Sequence, residues 1–194
     1  GGERTHVVDV QAFEAGGDAL AQRRAAFAMV EGVGGGIGRG GEGAPYLWTN
    51  RNKRGLAIDL GNDAGRELAL QLIDRADVLV ENFSAGVMGR LGLDYETVSA
   101  RNPGLVYCSI SAAGREGPLA NKVGFDPIAQ AESGFMALNG HPGQEGVVAG
   151  SPIITITTGM MASNAVLAAL AARQRDGAGQ LVEVAMFDQA AQMV

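Results

Sequence analysis

Apolar residues recur along this chain in two rhythms. Short β-branched and aliphatic runs at residues 6–10, 56–60, 77–81, 105–110 and 181–184 have the length and composition of strands. Between them apolar positions return every three or four residues, the period of a helix with one buried face. Asp63 sits where an N-cap belongs, and Leu68 and Leu72 continue a helix to Arg75. A second helix is expected to open near Asp126 and to bury Ile128, Ala131, Phe135 and Leu138. A third, capped by Thr158, aligns Ala162, Val166 and Leu170 and stops before Asp176-Gly177. Residues 152–156, with their β-branched side chains, read as a buried strand end. Strands alternating with helices imply right-handed crossovers. The expected fold is therefore α/β: a mostly parallel, Rossmann-like sheet with helices on both faces, without internal repeat or long linker.

Composition narrows the partners. At 194 residues the chain is long enough for one domain, and its hydrophobic fraction of 46% is that of an ordinary globular protein. A net charge of −6 and an aromatic share of 5% leave neither the basic field nor the stacking platforms that a nucleic-acid partner requires. An acidic protein can still hold a phosphorylated cofactor with a few local cations. The lone Cys108 excludes an intrachain disulfide, which points to a reducing cytoplasm. No apolar run is read as approaching the ~20 residues that span a bilayer, and no membrane association is expected. The chain opens at Gly1 rather than Met, so a piece of a longer protein is expected.

Several motifs carry no chemistry on their own. Gly36-Ile37-Gly38-Arg39-Gly40-Gly41 satisfies a dinucleotide-loop pattern, yet it neither follows a strand nor opens a helix. His6, His141 and Cys108 lie at no metal-ligand spacing, so no metal is expected. Asn82-Phe83-Ser84 matches a glycosylation sequon without a secretory signal beside it.

Four ordered segments change the picture. Asn50-Arg51-Asn52-Lys53-Arg54-Gly55 precedes a strand ending at Asp59-Leu60, and Ala76-Asp77-Val78-Leu79-Val80-Glu81-Asn82-Phe83 leads to Arg90-Leu91-Gly92-Leu93. Asn102-Pro103-Gly104-Leu105-Val106-Tyr107 leads to Gly117-Pro118, and Gly124-Phe125-Asp126-Pro127-Ile128-Ala129-Gln130 precedes Thr158-Gly159 and Gly177-Ala178-Gly179-Gln180. Together they resemble the class III CoA-transferases, the CaiB/BaiF family, which includes formyl-CoA transferases and α-methylacyl-CoA racemases. The resemblance implies that residues 1–194 are part of the family's large, CoA-binding domain. It also implies that the first strand and helix, the smaller domain and the C-terminal return are absent, and that full-length members form interlocked homodimers.

CoA offers phosphates, a pyrophosphate and a long arm, so its site needs sparse cations, backbone donors and an apolar channel. By the resemblance, Asn82 and Phe83 contact CoA just past a strand, where ligands bind in open α/β sheets. Arg90 lies near the phosphates, Ile58, Asp59 and Leu60 line the adenosine end, and Phe125 and Asp126 line the arm. Asp126 would serve equally as the N-cap of its own helix. The family reaction moves CoA from an acyl-CoA to a small carboxylic acid. An enzyme aspartate attacks the thioester to form a mixed anhydride, and the released thiolate returns to give an enzyme–CoA thioester that the acceptor resolves. That aspartate falls three residues before the Thr-Gly pair, which here is position 155, and the residue is Thr155. The early strand departs from the family at Asp9 and Gln11, and Lys122 stands where an arginine is usual.

Three readings remain open on the sequence: a family member with lost or altered activity, a non-catalytic CoA-binding half of a tandem transferase, and an enzyme using Asp126 as its carboxylate. A racemase is disfavoured, because Phe125 replaces the histidine base of that branch and the aspartate partner is missing at 155.

Overall fold

The structure is a computed structural model that describes the backbone of residues 7–12, 24–27, 38–39 and 42–43, and residues 53, 55–120 and 122–194. Among the described residues eight strands form: β1 Val7–Ala12, β2 Arg24–Phe27, β3 Gly38–Arg39, β4 Glu42–Gly43, β5 Leu56–Asp59, β6 Val78–Glu81, β7 Val106–Ser111 and β8 Leu181–Ala185. The helices described with them are α1 Asp63–Ile73, α2 Val87–Leu91, α3 Tyr95–Arg101, α4 Asp126–Ser133, α5 Phe135–Leu138, α6 Ile153–Asp176 and α7 Met186–Ala191. Six strands make one sheet in the order β5-β2-β1-β6-β7-β8. β1, β6, β7 and β8 pair in parallel, whereas β2 runs antiparallel to both of its neighbours. The expected mostly parallel sheet is present, with one reversed strand.

Period-two alternation assigns the faces. Leu79 and Tyr107 point to one side, where they join Ile58, Leu60, Ala69, Ile73, Leu93 and Val98 beneath α1 and α3. Val78, Val106 and Cys108 point to the other, against Ala162, Val166 and Ala169 of α6. Helices thus cover both faces, as the runs of apolar residues required. Each fully buried Leu or Ile contributes about 1.5–3 kcal/mol of transfer free energy. Burial, with the Glu81 carboxylate close by, pushes the Tyr107 phenol well above its ordinary pKa, and its hydroxyl donates to the Leu93 carbonyl at 3.2 Å.

Several local expectations are corrected. The N-cap of α1 is Asn62, whose Oδ1 accepts from the Gly65 N–H at 2.8 Å; Asp63 is the first helical residue and pairs with Arg66 instead. The inward face of α1 is Ala69 and Ile73, while Leu68 is exposed. The helix expected from 126 to 138 is broken by Gly134 at φ 86°, where a residue with a Cβ would be strained. Its buried face is Asp126, Ala129 and Gln130; Ala131 and Leu138 are exposed. Residues 153–156 are the first turn of α6 rather than a strand end, so Thr158 lies inside the helix and donates its hydroxyl to the Ile154 carbonyl at 2.6 Å. β-branching was misleading there, because it is a weak local preference that the helix, capped at the Thr155 N–H by Asp126, overrides.

α6 also corrects the view that no apolar run approaches membrane-spanning length. Its 24 residues, with a mean hydropathy of 1.6 over the most apolar stretch, suffice by length and composition to cross a membrane. The same helix packs on β7 and β8 through Ala162, Val166 and Ala169. At its far end Arg173 donates to Asp77 at 2.9 Å and to the Gly104 carbonyl at 2.8 Å, which ties the helix to the start of β6. The Asn50–Gly55 segment, apart from Lys53 and Gly55, lies outside the described residues, as do His6 and most of the glycine-rich loop. Within that loop Gly38–Arg39 pairs with Glu42–Gly43 as a two-stranded sheet.

Candidate active site

β6, β7 and β8 run parallel, so their carboxyl ends share one edge of the sheet. The chain leaves them through Asn82, Ala112 and Met186, and the amino-terminal turns of α6 lie against the same edge. Between these elements is a cleft of about 270 Å³ lined by Asn82, Phe83, Ser84, Ile110, Ser111, Arg115, Lys122, Thr155, Thr158, Gly159 and Met186, among others. Crevices at strand carboxyl ends are where open α/β sheets bind ligands.

The Asn82-Phe83 turn is held at both backbone polar groups of Phe83. The Phe83 N–H donates to Glu81 Oε2 at 2.9 Å, and the Phe83 carbonyl accepts from Arg115 Nη1 at 3.0 Å. Arg115 also donates from Nη2 to Glu81 Oε1 at 2.7 Å and from Nε to Ser109 Oγ at 2.9 Å, while the Ser109 hydroxyl donates to Glu81. Glu81 is 2% exposed, so its charge is compensated almost wholly by these donors. The pattern explains why an ionised pair stands at the end of an apolar strand.

Position 155 is fixed by a second network. Thr155 lies in the first turn of α6 with its side chain exposed, and its backbone N–H donates to Asp126 Oδ2 at 2.6 Å. Gln130 Nε2 donates to the other Asp126 oxygen, and Gln130 Oε1 accepts from the Ala149 N–H at 2.9 Å. Asp126 therefore caps α6 from a different element, and its charge also suits the positive end of that helix dipole. It is not the cap of its own helix: Phe125 occupies that place without a side-chain bond.

Of the candidate site residues read from the sequence, Asn82, Phe83 and Thr155 line the cleft, as does Lys122, noted there as standing for an arginine. The others do not line it. Asp126 is buried behind position 155, and Phe125 is 60% exposed outside the cleft. Arg90 is exposed on α2, its guanidinium beside Gly86. Ile58 and Leu60 are core side chains, and Asp59 accepts from the Gly61 N–H at 2.9 Å and Asn62 Nδ2 at 3.0 Å in the turn after β5, which β2 and β1 separate from β6. Arg115, Ser111, Gly159 and Met186 were missed. Carrying the strand-end argument from β6 to β7 and β8 finds Ser111 and Met186, whereas Arg115 closes a contact across a loop that periodicity does not reach. Among the described residues no group of His, Cys, Asp and Glu could hold a metal ion.

The sequence model of CoA-transferase family III matches residues 6–194. The chain belongs to CoA-transferase family III. It is 43% identical over 143 residues to an acyl-CoA transferase of Fusarium pseudograminearum, covering 74% of this chain and 31% of that protein. It is 41% identical over 145 residues to a succinate–glutarate CoA-transferase of Agrobacterium fabrum, covering 75% of this chain and 36% of that one. The crystal structure of a CaiB/BaiF family protein from Brucella suis superposes with a TM-score of 0.68 at 40% identity, over 70% of this chain and 36% of the other. The chain thus spans about a third of the length of the curated relatives it matches.

Proposed function

We propose that the protein carrying this chain binds an acyl-CoA thioester in the cleft at the ends of β6, β7 and β8, and that its own CoA-transfer chemistry is crippled at position 155. The observation that carries this reading is Thr155, which stands in the cleft opposite Asn82 and Phe83 where family chemistry needs a carboxylate. A carboxylate attacking a thioester forms an anhydride, which is activated enough for the leaving CoA thiolate to attack in turn. A threonine hydroxyl would form an ordinary ester, which the thiolate does not readily open. No His, Asp or Glu lines the cleft among the described residues to serve as its base. Asp126 does not substitute, because it is buried and both its oxygens accept hydrogen bonds.

In this reading Asn82 and Phe83 receive the CoA arm, and Arg115 fixes their turn. Arg90 and the Asp59 turn contribute to the phosphate and adenosine end, and the acceptor belongs to the small carboxylic acids named for the relatives, such as succinate and glutarate. The same substitution favours a second reading: a CoA-binding, non-catalytic half whose partner half supplies the aspartate. The domain is then part of a CoA-binding large domain, and the whole protein is a homodimer like its family. Calorimetric titration of the full-length protein with CoA and acetyl-CoA tests the binding. Micromolar affinity that Phe83→Ala weakens at least tenfold is expected, and no detectable binding of either compound would reject it.

A further inference from the structure

Among the described residues, nothing in conformation or packing requires glycine at Gly159 of α6. It lacks the positive φ that marks the turn glycines of this chain. Among the described residues, a Cβ built on it meets no atom beyond its own helix within 4 Å, whereas a Cβ on Gly65 of α1 would strike the Asp59 carbonyl at 1.9 Å. Glycine inside a helix costs stability relative to alanine, because more backbone entropy is lost and nothing is gained in packing. The residue therefore carries that cost where neither conformation nor packing among the described residues requires it. It lines the cleft, one helical turn beyond Thr155 on the same face of α6.

We propose that Gly159 is a specificity-determining residue, whose missing side chain leaves space for the acyl group of the bound thioester. This rests on the reading of the cleft as a CoA-thioester site. The reacting carbonyl would lie at position 155, so the next turn of the same helix face meets what is attached to that carbonyl. The cleft wall also includes Ile110, Ala112 and Met186, and Thr158 turns its hydroxyl back to the Ile154 carbonyl. A side chain at 159 would therefore limit how long an acyl chain fits.

Calorimetry on the full-length protein with free CoA, acetyl-CoA, butyryl-CoA and octanoyl-CoA tests this for the natural protein, Gly159→Ala and Gly159→Leu. Free CoA should bind all three within about twofold, while Gly159→Leu weakens octanoyl-CoA at least tenfold and Gly159→Ala gives a smaller loss that grows with chain length. Gly159→Ala should melt no lower than the natural protein, because alanine is the better helix former. Equal weakening of free CoA and octanoyl-CoA overturns the proposal, since the residue would then face the arm. An unchanged chain-length profile also overturns it, including when Gly159→Leu alters oligomeric state, since glycine would then serve packing against another part of the protein. If the natural protein binds no CoA species, the cleft reading itself fails, and that result is distinct from either of the others.

Discussion

The backbone N–H of Thr155 donates to the buried carboxylate of Asp126 at 2.6 Å, so the position that faces the cleft is held by an acid that does not. Position 155 and its support come from elements 29 residues apart in sequence. The support is a cap for a 24-residue helix, made to the backbone of a position that carries a threonine side chain.

Removing that cap should be costly. Asp126→Ala leaves the Thr155 N–H and the buried Gln130 amide each short of a partner, and a loss of about 1–3 kcal/mol is expected. Asp126→Asn keeps one acceptor oxygen and should lose less. Urea denaturation of the full-length variants measures both, and equal midpoints for Asp126→Ala and the natural protein would show that the carboxylate carries no such load.

The Arg115–Glu81 pair makes a sharper contrast. Arg115→Ala strands a carboxylate whose side chain is 3% exposed, which should cost about 3–5 kcal/mol and loosen the Phe83 turn. The double variant Arg115→Met with Glu81→Leu removes both charges and should recover much of that stability without recovering CoA affinity. The two readouts, denaturation midpoint and calorimetric affinity, separate a structural pair from one that positions the ligand-facing turn.

Alkaline pH tests the environment of Tyr107. Its phenol ionises in the unfolded chain near the ordinary tyrosine value of about 10, but burial raises the folded value. Stability is therefore fully present below pH ~10 and is lost above it, by up to about 1.4 kcal/mol per pH unit until the folded group also ionises. Tyr107→Phe should flatten that part of the profile and lower neutral stability by about 0.5–1.5 kcal/mol through the lost bond to the Leu93 carbonyl. Thermal melts from pH 8 to pH 11 report both effects.

The sheet was legible because burial on both faces writes continuous apolar runs such as Val78-Leu79-Val80, and the family motifs were legible because they are contiguous. The Thr158-Gly159 register singled out Thr155, which lines the cleft. What the sequence hid was who supports whom. Asp126 reads as a cap for the helix it begins, yet its carboxylate reaches α6, and nothing in local spacing reveals that choice. Residues 153–156 read as strand because β-branching is a weak local preference that the capped helix overrides. Arg115 sits in a polar loop without periodicity, and only the sheet edge brings it to Glu81.

On the proposed reading, this cleft handles a CoA thioester without forming a covalent acyl or CoA adduct on its own residues. Intact-mass spectrometry after incubation with an acyl-CoA, with a parallel hydroxylamine trap, reads that directly. Peptide mapping of the natural protein should show no adduct and no hydroxamate on residues 1–194, while Thr155→Asp, with the Asp126 cap in place, should show a hydroxylamine-sensitive adduct at position 155. An adduct mapped to residues 1–194 of the natural full-length protein would contradict this.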